Sequence, residues 1–202
     1  MGPETRKILE DAIADVGHWS WWDEDEATFQ VEFGFTQLYN EPASPDVAPN
    51  GQVALRFPEA TAIAVLHNAD SHLPDGWFAA LRRDELEPLS VGHASFTMTD
   101  SELARSLLEW ATRVEFMRGT REDLDRALSG EGSFLCFLAG GAGLAVSAPE
   151  MVVVNHEGEL DEEQICEKNR QWWEYWRRYW DVHDSPAALP KDFACDVTIP
   201  AG

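Results

Sequence analysis

The chain has 202 residues, 44% hydrophobic and 26% charged, with 37 acidic residues against 15 basic ones and a formal net charge of −22. A chain of this size and apolar content can bury a core without disulfides or a structural metal, which excludes a disordered chain or a cysteine-stapled miniprotein. The charge argues against nucleic acid and anionic membranes as partners, because its field repels phosphate, and it favours basic protein partners.

The basic set holds only three lysines, Lys7, Lys168 and Lys191. Arg-rich, strongly acidic composition points to a bacterial protein. Cys136, Cys166 and Cys195 form no CxxC pair, so neither a zinc knuckle nor a disulfide framework is indicated. No apolar leader follows Met1-Gly2-Pro3 and no apolar run reaches membrane-span length. A reducing cytoplasm is the expected compartment.

A first helix is predicted over 4–16, where Ile8, Leu9, Ala12, Ile13 and Val16 share a face and Gly17 supplies a stop. His18 to Trp22 and Phe29 to Phe35 follow as two strand-like runs around the tetrad Asp23-Glu24-Asp25-Glu26. In the second run Phe29, Val31, Phe33 and Phe35 alternate with polar residues, and the pair reads as a β-hairpin with the tetrad near its turn. Gly34 marks a bulge there. Residues 40–51, with Pro42, Pro45, Pro49 and Asn50-Gly51, form a loop.

Val53 to Phe57 and Thr61 to Leu66 are two more strands. A short helix is expected over 75–86 and a strand from His93 to Thr99. Thr99 and Glu102 suggest a capping box for a helix over 100–117, with Leu103, Leu107, Trp110, Ala111, Val114 and Met117 inward and Gly119 as its end. A shorter helix from Thr120 carries Leu124, Ala127 and Leu128. Ser133 to Leu138, Leu144 to Ser147 and Met151 to Val154 are strands, the first two joined through the glycines 140–143.

The last helix is the most regular element. Asp161 and Gln164 form a capping box, and the helix runs to about Asp181. Ile165, Trp172, Trp173, Trp176, Tyr179 and Trp180 make one face, expected to pack on the sheet. Phe193, Cys195, Val197 and Ile199 alternate as a final strand. Strands in runs with helices between them define an α+β fold. We expect one domain over 1–202, a largely antiparallel or mixed sheet, and helices grouped against one face.

Two sets of residues suggest chemistry. His67, Asp70 and His72 place two imidazoles and a carboxylate after an apolar strand, the donor set of a 2-His-1-carboxylate metal site. Trp21 and Trp22, with Asp23, Glu24, Asp25 and Glu26, combine indoles with an acidic turn suited to a basic partner. The glycine segment 140–143 precedes a strand, not a helix, and so lacks the context of a phosphate loop. No nucleophile elbow or HExxH helix is present.

The expected function is therefore that of a non-enzymatic acidic interaction protein, immunity- or inhibitor-like, that binds a basic protein. The alternative is a small-molecule-binding or metal-dependent enzyme with its site near the His67–His72 loop. No organic cofactor is predicted, and a divalent metal is the one cofactor those residues would suit.

Overall fold

The computed structural model describes residues 1–13, 15–23, 27–42, 44–67, 89–91, 95–139, 142–191 and 199. Within them the chain is α+β, with the antiparallel pairing expected from its alternating runs. The strands divide between two sheets.

The first sheet contains β1 (Asp15–Asp23), β2 (Thr28–Phe35), β3 (Val53–Phe57), β5 (Leu89–Val91), β10 (Val152–Asn155) and β11 (Gly158–Leu160), in the order β11-β10-β3-β2-β1-β5. The second contains β4 (Ala62–His67), β6 (Ser95–Thr97), β7 (Arg113–Arg118), β8 (Ser133–Ala139) and β9 (Ala142–Ala148), in the order β6-β8-β9-β4-β7. The helices are α1 (Pro3–Ala12), α2 (Ser101–Trp110), α3 (Arg121–Leu128) and α4 (Glu162–Val182).

Strand alternation explains the layers. On β2 and β3, Phe29, Val31, Phe33, Val53, Leu55 and Phe57 are all fully buried and join one apolar cluster with Ile63, Val65, Leu135, Phe137, Leu144 and Val146 of the second sheet. The sheets thus share one core. The other face of the second sheet carries Ala62, Ala64 and Ala145 beside Leu66, Phe134 and Cys136, and these form a second cluster with Ala104, Leu107 and Leu108 of α2 and Leu124, Ala127 and Leu128 of α3. The alanines let the helices approach closely. β4 is buried along its whole length because it lies between both clusters.

The expected hairpin pairing is present, with Asp23 of β1 in register with Thr28 of β2. Its irregularity falls on β1 between Asp15 and His18, across from Gly34. The loop after β2 is fixed by buried amides. Asn40 Nδ2 donates to the Gln52 carbonyl at 2.9 Å, and Asn155 Nδ2 donates to Asn40 Oδ1 at 2.8 Å, tying the loop to β10.

Three expectations are corrected. The first helix ends at Ala12, and Asp15 and Val16 belong to β1. The helix predicted over 100–117 ends at Trp110, and Arg113–Arg118 is a strand hydrogen-bonded to β4. Val114 and Phe116 alternate with charged residues there, so pairing on the edge of β4 prevails over helical spacing. The cap of α2 is Asp100, which accepts from the Glu102 and Leu103 backbone N–H groups, while Thr99 donates its hydroxyl to Glu10. Gly119 therefore ends β7. Its φ of 65° suits glycine, and a Cβ there would lie 2.0 Å from the Thr61 carbonyl oxygen. The predicted helix 75–86 lies outside the described residues, as does the final strand apart from Ile199. Ile199 packs on Ala54 and Val154.

Phe57 tests the shared core. Phe57→Ala is expected to lower unfolding free energy by about 3–5 kcal/mol, seen as a lower denaturant midpoint with an unchanged slope.

Candidate functional site

The features that the fold leaves unused gather on α4. Its start is firmly held. Gln164 N donates to Asp161 Oδ1 and Asp161 N donates to Gln164 Oε1, each at 2.8 Å, completing the capping box. Glu162 accepts from the Gly2 N–H at 2.8 Å and from the Thr5 hydroxyl at 2.7 Å, joining α4 to α1. The Thr5 hydrogen bond first, and the Gly2 amide next, hold the Glu162 carboxyl below its ordinary range. Ile165 enters the shared core. Lys168 Nζ donates to the Tyr39 carbonyl at 3.3 Å and to Glu157 at 2.8 Å, and Asn169 donates to the Gln37 carbonyl at 3.0 Å. The loop anchored by Asn40 thus grips the helix as far as Trp172, which is buried.

Beyond Trp172 no side chain of α4 is buried. Tyr175 makes a tilted ring contact with Tyr39 and donates its hydroxyl to the Pro190 carbonyl. Trp173 is 49% exposed and Trp180 64% exposed. The expected packing of this whole face on the sheet is corrected accordingly: Ile165 and Trp172 pack inward, and Trp173 and Trp180 face solvent. The helix runs past the surface that holds its first turns. Trp110, expected inward on α2, is likewise 50% exposed, because α2 stops there.

The projecting half is internally ordered by its own rings. Trp172, Trp176, Tyr179 and Trp180 make successive edge-to-face contacts with centroid separations of 5.1–5.7 Å, and His183 stacks on Tyr179 at 6.0 Å. Such pairs contribute about 0.5–1.5 kcal/mol each beyond area burial. Arg170 adds ion pairs to Glu167 and Glu174 at 2.6 and 2.8 Å on the solvent side. These contacts stiffen the second half of the helix.

The described residues among those singled out from sequence lie on β1 and β4. Trp21 and Trp22 lie in β1, in register with Gln30 and Phe29, and Asp23 ends the strand. Their side chains, and the residues Glu24, Asp25 and Glu26, fall outside what the structure describes. Of the metal set, Asp70 and His72 lie outside the described residues. His67 ends β4 and is buried, paired with Arg113 across β7. Burial first, then the Arg113 charge, hold its imidazole below the ordinary value of 6.5. Both effects disfavour positive charge at the ring. Among the described residues no three His, Cys, Asp or Glu side chains gather as a metal site.

Comparison with protein-family models, curated proteins and solved structures returned no match.

Two outcomes follow from these environments. Trp180→Ala should cost about 0.5–1.5 kcal/mol, the worth of its edge contact with Tyr179, whereas Trp172→Ala should cost about 3–5 kcal/mol in denaturant unfolding. For His67 the unfolded chain binds the proton more tightly than the folded one. Stability should therefore fall as pH drops below 6.5 towards the lower folded value, and His67→Gln should remove that part of the pH dependence.

Proposed function

We propose that this protein acts by binding a basic protein, and that the projecting half of α4 is its docking element. The observation that supports this reading is the exposure of Trp173 and Trp180 on a helix that is otherwise well built and firmly rooted. An exposed indole forgoes about 1.5–3 kcal/mol of burial free energy. Two on one short segment make an apolar patch of the kind that a partner covers. Trp is also the residue most enriched among binding hot spots.

Rigidity strengthens the reading. The ring contacts and the Arg170 ion pairs hold the segment helical before any partner arrives, so little ordering entropy is lost on binding. A helix laid into a groove would use Trp173, Trp176 and Trp180, which recur at helical spacing. The net charge of −22 supports a basic partner, since opposite charge speeds encounter and excludes acidic competitors. An immunity- or inhibitor-like role, in which an acidic protein neutralises a cationic one, joins these properties. The anchors in this reading are on α4, and the acidic turn 23–26 belongs to the steering field.

The test is capture from the native cell with the intact chain and with the Trp173→Ala, Trp180→Ala double variant, followed by mass spectrometry. A stoichiometric basic protein should be retained by the intact chain and lost from the variant. Retention by both, or capture of no basic protein, would overturn the proposal.

A further inference from the structure

A cleft of about 430 Å³ opens between the start of α1, the β6–α2 connection, the end of α3 and the start of β8. Its apolar lining includes Met98, Leu128 and Phe134, and its polar lining includes Arg6, Thr99 and Ser101. It uses none of the residues assigned to docking on α4.

Arg6 is the unusual member. Its Nη2 donates to Ser133 Oγ at 2.8 Å and its Nη1 to the Gly132 carbonyl at 3.4 Å, both neutral acceptors. Its Nε is buried and has no acceptor among the described residues. The carboxylate one turn along α1, Glu10, is engaged instead by the Thr99 hydroxyl and the Met98 N–H. Among the described residues Arg6 makes no ion pair, although acidic residues outnumber basic ones 37 to 15 in this chain. A second guanidinium, Arg105, reaches two lining residues, Ser101 Oγ at 3.5 Å and the Leu128 carbonyl at 3.1 Å, and also lacks a carboxylate partner among the described residues. Arg105 thereby closes the last turn of α3. Arg6 closes no helix, and its hydrogen bonds to Ser133 and Gly132 use only two of its five N–H donors.

A partly buried cation facing neutral groups retains most of its capacity for an anion. A carboxylate matches a guanidinium in charge and planar shape. The apolar wall adds a place for a short hydrocarbon body. The acidic surface is a weak obstacle, because at physiological salt its field decays over about 8 Å.

We propose that this cleft binds a small monocarboxylate, its carboxylate on the Arg6 guanidinium and its hydrocarbon part against Met98, Leu128 and Phe134. The probe is hexanoate, titrated while the methyl resonances of Met98 and Leu128 are followed by NMR, with hexanol as the neutral analogue and inorganic phosphate as the anion without an apolar body. Hexanoate should give saturable shifts. Hexanol should bind roughly tenfold more weakly or worse, and Arg6→Gln should weaken hexanoate by a similar factor while leaving hexanol unchanged. Absence of saturable shifts, equal binding of hexanol, or phosphate binding as tightly as hexanoate would overturn the assignment. If Arg6→Gln does not fold, the comparison of the three probes on the unaltered protein still decides it.

Discussion

The contact between the two sheets, made by Phe29, Phe33 and Phe57 on one side and Ile63, Val65, Leu135 and Phe137 on the other, sets where every other element can go. Large side chains fill the space between the sheets, and the alanines on the outer face of the second sheet leave room for α2 and α3. Leu9 and Ala12 of α1 and Ile165 of α4 extend the same cluster. The Asn40–Asn155 bond then fixes the loop that grips α4, so the root of that helix is as well determined as the core itself.

The same packing explains why the rest of α4 projects. A helix of 21 residues spans about 31 Å, and the hydrogen bonds that root it fall at Glu162, Lys168 and Asn169, in its first half. Among the described residues, Tyr175 adds a ring contact with Tyr39 and a hydroxyl bond to Pro190 beyond them. What remains is a stiff aromatic segment attached to an acidic body. Binding through the tip requires no rearrangement of the core.

Much of the fold was legible in the sequence where alternation was strict. Phe29, Val31 and Phe33 announced β2, and the Asp161–Gln164 capping box placed the start of α4 to the residue. Misreadings arose where two periodicities overlapped. Val114 and Met117 continue the helical spacing of Leu103 and Leu107, yet Val114 and Phe116 alternate equally well, and only the presence of β4 beside them decides the outcome. The exposed tryptophans were harder to read. Trp172 and Trp173 are neighbours of identical chemistry, and periodicity puts both on the apolar stripe. Trp172 stands seven residues from buried Ile165, on the same line of the helix, whereas Trp173 is turned about 100° away and faces solvent. Nothing local marked Arg6 either, because its isolation comes from residues more than 120 positions away, Gly132 and Ser133.

The most direct test of the account is amide hydrogen exchange along α4, measured on the protein alone and with the basic protein recovered by capture. Alone, residues 162–172 should exchange slowly and 173–182 much faster, since only the first half is packed. With the partner present, protection should rise across 173–182 and stay unchanged in 162–172. Uniform slow exchange along the free helix, or new protection that spares 173–182, would contradict a projecting helix that serves as the docking element.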